Sequence, residues 1–222
     1  MTETQTYFIG GIATDVHLYA YQLKAVPNSV YLPFHKHIKG ETLAEYALRF
    51  ADSINIEEPF NIVANSMGGM MTMELIKHIK PQKTILLSSV KCRKEMPWRL
   101  RQLKYTGLHK LLPGVAFKAG VRYGSKFLRE INKTPGMRDI VVQMARNNAP
   151  EFLYWCVNAI VNWNGAADYN NDIIHIHGTK DKMFPIKNIS GAIPVEGGSH
   201  NMLLTEPERI TQLLLDKLAP GR

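Results

Sequence analysis

The chain has 222 residues, 45% of them hydrophobic and 21% charged, with a formal net charge of +8 and two cysteines. That balance belongs to an ordinary globular protein, long enough for one domain with a real core. Cys92 and Cys156 lie far apart and suggest neither a disulfide framework nor a metal knuckle, and no stretch approaches the roughly 20 apolar residues of a membrane span. The polar start, Met1-Thr2-Glu3-Thr4-Gln5-Thr6, has no basic leader, so no signal peptide is expected and the cytoplasm is the default compartment.

Short apolar runs alternate with helical patterns, which predicts a mostly parallel sheet of about six strands with helices on both faces. The first strand, Tyr7–Gly11, ends in Gly10-Gly11-Ile12-Ala13-Thr14-Asp15, a glycine-rich turn that leaves backbone N–H groups uncrowded. The second strand is Ser29–Phe34. His35 and His37 follow as a lone His-x-His, which lacks the further ligands of a metal site. Thr42 to Ile54 then carries Leu43, Tyr46, Ala47, Phe50 and Ala51 at helical spacing, with Glu45 in its first turn.

The third strand, Phe60–Asn65, leads straight through Ser66 into a helix over Met67–Ile79. A serine at so tight a strand-to-helix turn holds its hydroxyl clear of the backbone, and the positions two before and two after it must be small. Here they are Ala64 and Gly68. The Met67 N–H, at the positive end of the helix, would face an oxyanion forming at the serine. The alternative is a serine that only caps the helix. His78 fits a cap at that helix's C-terminus.

After the fourth strand, Lys83–Ser89, no strand pattern recurs until the fifth. Residues 91–165 read as a helical insertion over one end of the sheet, a lid that would shape a substrate pocket. Phe152, Trp155, Cys156, Ala159, Ile160 and Trp163 share one helical face, with Pro150 tolerated near that helix's start. Between Lys91 and Arg138 thirteen Lys and Arg oppose two acids, Glu95 and Glu130. Such a block either is a solvated face or attracts acidic substrates, phosphate groups or an anionic membrane surface. No nucleic-acid motif accompanies it. Met96, Trp98, Leu111, Leu112, Phe117, Phe127, Met144 and Trp155 divide between lid core and an apolar acyl pocket.

The fifth strand, Asp172–His177, runs into Gly178-Thr179-Lys180-Asp181, which puts Asp181 just past a strand end, where open α/β sheets keep their sites. His177 reads as a structural residue of that strand end. The sixth strand, Ala192–Glu196, precedes Gly197-Gly198-Ser199-His200, and a final helix spans Glu206–Leu218. Thr205 and Glu208 have the spacing of a capping box, with Pro207 in the first turn. Serine, acid and histidine therefore occur in the order Ser66, Asp181, His200, each at a strand end. Among other acids, Asp172 begins its strand at the opposite edge, Glu196 lies inside a strand, and Glu95 is the only carboxylate near the end of the fourth.

The segments Phe8–Asp15, Ala64–Gly69, Gly178–Pro185 and Gly197–His200, in this order, resemble the α/β-hydrolase superfamily over essentially the whole chain. The resemblance implies a single compact α/β-hydrolase domain with a Ser66–Asp181–His200 triad and an oxyanion hole from the N–H groups of Ile12 and Met67. Three departures stand out. Ala64 replaces the first glycine of the elbow, Gly10-Gly11 stands where His-Gly is common, and the sheet begins at what resembles the family's third strand. The expected activity is hydrolysis of a small-molecule ester or thioester, without cofactor or metal. A lyase or C–C hydrolase with the same triad, or a ligand-binding protein without turnover, are the alternatives.

Overall fold

The computed structural model describes residues 4–111, 136–165 and 172–219. Strand β1 (Gln5–Ile9) lies between β2 (Ser29–Leu32) and β3 (Phe60–Asn65), and β4 (Lys83–Leu87), β5 (Ile173–Gly178) and β6 (Ala192–Val195) extend the sheet beyond β3. Every pairing is parallel. All six expected strands form, and the third has its expected bounds. The first, second and fourth stop two residues short of the sequence reading. The turn Gly11–Thr14 follows at once after β1, Pro33 has no N–H for the ladder, and Ser88 has a positive φ (46°). The sixth strand likewise ends at Val195, so Glu196 lies just outside it.

Alternation along the central strands divides the core into two layers. Tyr7, Ile9, Ile62 and Ala64 join the layer under α2 (Leu43–Leu48) and α3 (Met67–Leu75). Phe8, Val63, Ile85 and Leu87 join the other, with Tyr19 just before α1 (Ala20–Ala25) and with Ile210 and Leu214 from the C-terminal helix. A sheet buried on both faces explains why its strands read as unbroken apolar runs. Two helices are shorter than their patterns. The Thr42–Ile54 segment is α-helical only to Leu48 and ends in a 3-10 turn over Ala51–Ser53. The Met67–Ile79 segment is regular to Leu75, with His78 in the turn that follows.

Between β4 and β5 the described residues form three longer helices, α4 (Trp98–Thr106), α5 (Met137–Arg146) and α6 (Pro150–Asn162). The stretch 112–135, with Leu112, Phe117, Phe127 and much of the basic block, lies outside the described residues. The segment leaves and returns at one place, where Cys92 and Gly165 form an isolated antiparallel bridge. Arg93 closes this neck by donating to the carbonyls of Val161, Trp163 and Arg101. The predicted apolar face of α6 is in place, with Phe152, Trp155, Cys156, Ala159 and Trp163 in one core layer and Ile160 packed against it.

Helices α7 (Met202–Thr205) and α8 (Pro207–Leu218) end the fold. The capping box expected from Thr205 and Glu208 does not form. Thr205 belongs to α7 and bonds back to the carbonyl of Asn201, and Glu206, the N-cap of α8, makes no side-chain cap. The box occurs instead at α2, where Thr42 Oγ1 accepts from the Glu45 N–H and Glu45 accepts from the Thr42 N–H. Thr42→Ala should therefore lower stability by about 1 kcal/mol, and Thr205→Ala by less than about 0.5 kcal/mol, in urea unfolding.

Candidate active site

The chain leaves β1 toward β2 on one side and returns to β3 on the other, so the exits of β1 and β3 flank the sheet's switch point. Ser66 stands at the β3 exit with φ 52° and ψ −119°, a conformation that side chains rarely adopt. The surroundings hold it there. Its N–H donates to the Leu87 carbonyl (3.1 Å), and its carbonyl accepts from Ser89 Oγ (2.6 Å) and the Gly69 N–H (3.0 Å). Gly68 passes so close to β1 that a Cβ would lie 2.4 Å from the Gly10 carbonyl oxygen and 2.6 Å from that of Ile9. On the other side, a Cβ on Gly11 would lie 3.0 Å from Ser66 Cβ. The turn carrying Ile12 is thus packed against the serine. Among the described residues neither the Ile12 nor the Met67 N–H has a hydrogen-bond acceptor.

Ser66 does not cap its helix. Its hydroxyl instead lies 3.1 Å from His200 Nε2, and His200 Nδ1 lies 2.8 Å from Asp181 Oδ2. The loop after β5 curls back to make this possible, with Lys180 N–H donating to the Gly198 carbonyl (2.8 Å) and Asp181 N–H to that of Gly178 (3.2 Å). Asp181 is buried, and Oδ1 accepts from the N–H groups of Met183 and Phe184, both at 2.8 Å. Burial alone would raise its pKa, but the His200 charge and the hydrogen bonds from His177, His200 and the Phe184 N–H outweigh it. The carboxyl is held well below its usual range.

The competing acids are engaged elsewhere. Asp172 is exposed at the start of β5, Glu196 accepts from Thr179 Oγ1, and buried Glu95 pairs with Lys91 and accepts from Ser190. His35 packs edge-on against Phe50, and His37 stacks on Trp155. Met96, Met144 and Trp155 are core residues, whereas Trp98 is 61% exposed.

Three groups went unforeseen. Ser89, two residues past β4, supports the elbow. Asn147 and Asn148, after α5, donate to Asp15 Oδ2 (2.7 Å) and the Thr14 carbonyl (3.4 Å), fastening the turn that carries Ile12. His177, expected to be structural, lies 3.3 Å from Asp181 Oδ2. Its spacing from His175 was the available signal, since i and i+2 share a face of a strand.

Solved structures that superpose on the chain include a hydrolase from Pseudomonas aeruginosa PA01 (TM-score 0.74, 16% identity, covering 98% of this chain and 91% of its own). A malate-bound thermophilic esterase from Thermogutta terrifontis matches with TM-score 0.72 at 15% identity, over 99% of this chain and 92% of its own. A bromoperoxidase from Bacillus anthracis gives 0.73 at 15% identity, over 98% and 92%. The chain has the α/β-hydrolase fold. No family model matches the sequence, and no curated protein matches it. At these identities the likeness establishes the α/β-hydrolase fold alone, and the chemistry has to be argued from the site.

Two measurements probe this site. Gly68→Ala should force β1 and α3 apart and lower stability by about 1–3 kcal/mol in urea unfolding. His175, buried in β5, has its pKa pushed down to about 3, first by burial and then by the charges of His177 and Lys91. The unfolded imidazole takes up its proton near pH 6.5, so the unfolded state holds one proton more across the window between about 6.5 and 3. His175's contribution is therefore complete above that window and falls as the pH is lowered through it. Urea unfolding at pH 5 should show about 2 kcal/mol less stability from this group than at pH 7, and His175→Gln should flatten the dependence.

Proposed function

We propose that the protein is a serine hydrolase that cleaves a carboxylic ester or thioester through an acyl-enzyme at Ser66. The observation that carries this reading is the pairing of the Ser66 hydroxyl with His200 Nε2 rather than with the helix N-terminus that a capping serine would serve. With Nδ1–H donating to Asp181, His200 presents a bare Nε2 to the hydroxyl proton. His200 takes that proton as Ser66 Oγ attacks the carbonyl carbon, and Asp181 stabilises the imidazolium that forms. The free N–H groups of Ile12 and Met67 receive the negative oxygen. The imidazolium then protonates the leaving alcohol or thiol, and a water activated by the same base releases the acid.

The structural neighbours, among them a hydrolase and an esterase, support the general class. In this reading the segment 91–165 acts as a lid, its neck fixed at Cys92 and Gly165. The basic excess between Lys91 and Arg138 favours an anionic substrate. For such a substrate KM should rise with salt, and a flat KM would remove the anionic preference. A fluorophosphonate probe should add once per chain by intact mass, and Ser66→Ala should abolish the adduct and lower kcat on the order of 10⁴- to 10⁶-fold. A Ser66→Ala protein that retains about a tenth of the activity would overturn the assignment.

A further inference from the structure

Asp181 is gripped on both oxygens, and one grip comes from a residue outside the triad. Oδ1 accepts from the backbone N–H groups of Met183 and Phe184, while Oδ2 faces His200 Nδ1 at 2.8 Å and His177 Nε2 at 3.3 Å. His177 Nε2 also lies 2.7 Å from the Phe184 carbonyl oxygen. A carbonyl only accepts, so Nε2 must carry the hydrogen. The contacts then close a ring. The Phe184 N–H holds Oδ1, the Phe184 carbonyl holds the His177 N–H, and that N–H borders Oδ2. The Phe184 side chain meets the His200 ring edge-on, with centroids 5.5 Å apart.

In a neutral His177 ring whose one hydrogen is on Nε2, Nδ1 is bare and needs a donor. His175 Nε2 lies 3.3 Å away, which assigns the hydrogen of His175 to Nε2 and leaves its Nδ1 without a hydrogen-bond partner among the described residues. Both histidines are fully buried, so neither arrangement is averaged by water. Two imidazoles meeting edge-on along one face of β5 (centroids 5.2 Å apart, planes at 76°) therefore point their donors in one direction, toward the acid.

We infer that His177 is a positioning residue for the proposed reaction, holding Asp181 and the Phe184 turn with its Nε2–H so that His200 stays aligned with Ser66. The inference rests on the serine hydrolase reading and adds a residue to its machinery. The groups facing this unit are Ser66 and Asp181 on His200, and His175 and Asp181 on His177. Lys91 acts on His175 from the β4 side, where it is paired with Glu95.

The test begins with the unaltered protein, ¹⁵N-labelled at histidine. Long-range ¹H–¹⁵N spectra should show the Nε2–H tautomer for both His177 and His175. A Nδ1–H tautomer at His177 would leave nothing to hold Asp181 or the Phe184 carbonyl and overturns the inference, whether or not any variant folds. The second arm follows the rate of fluorophosphonate labelling against pH in His177→Phe and His177→Gln. Loss of the donor leaves more negative charge facing His200 and favours its protonated form. In His177→Phe the labelling rate should fall about tenfold, the equivalent of one hydrogen bond to a charged group. The acidic limb of the profile should move up by about half a pH unit. His177→Gln, which keeps an N–H donor, should recover most of both. A lower rate with an unmoved limb means a structural residue only and overturns the inference. Unaltered protein that takes no label overturns the hydrolase reading itself, whereas normal labelling with an unmoved limb in His177→Phe overturns this inference alone.

Discussion

Everything at the site depends on the close approach of the first turn of α3 to the end of β1. Gly68 sits where even a methyl group would overlap the carbonyl oxygens of Ile9 and Gly10. That contact fixes how steeply the chain must turn at Ser66, and hence the positive φ of that residue. A non-glycine residue in such a conformation costs on the order of 1–3 kcal/mol. Complete burial of β3 and α3 on either side offsets it. Three of the non-glycine residues with positive φ, Ala13, Ser66 and Ser88, stand at the exits of β1, β3 and β4. The strain is concentrated where the chain must present polar groups instead of continuing a ladder.

The second constraint is electrostatic. Asp181, His175 and His177 are buried together with Ser66, in a protein whose other buried surface is mostly apolar. An ionised carboxylate in that setting is tolerable only when its oxygens are satisfied, and Asp181 has two backbone donors and two imidazoles around it. The loop 178–185 is folded to supply them. Glycine at 178 is part of the same solution, because a Cβ there would lie 2.3 Å from the Gly198 carbonyl oxygen. Bringing those two loops together is what carries His200 to Asp181.

Much of this was legible in the sequence because the fold writes itself in local patterns. Unbroken apolar runs such as Ile62-Val63-Ala64 named the buried strands, and small residues at 64 and 68 named the elbow. The order Ser66, Asp181, His200 located the three side chains that the structure brings together. The misreadings share a cause. Thr205 and Glu208 have the spacing of a capping box, but the chain around Asn201 forms a separate short helix that uses Thr205 for itself. Strand ends were overrun where Pro33 or Ser88 stops a ladder, since apolar character outlasts hydrogen bonding. The spacing of His175 and His177 puts them on one face of the strand, but the contact of His177 with Asp181 also needs the loop to fold back by four residues, which strand spacing does not show. Asn147 and Asn148 reach the Ile12 turn across the sequence, a contact that no local pattern encodes.

The central claim is that the Ser66 turn and the Ile12 turn together form a site ready for a tetrahedral, negatively charged centre. A crystal structure of the protein after reaction with a fluorophosphonate tests it directly. The account predicts phosphorus bonded to Ser66 Oγ, with one phosphonyl oxygen about 3 Å from the backbone nitrogens of both Ile12 and Met67. An adduct on another residue, or a phosphonyl oxygen turned away from those two nitrogens, would contradict it.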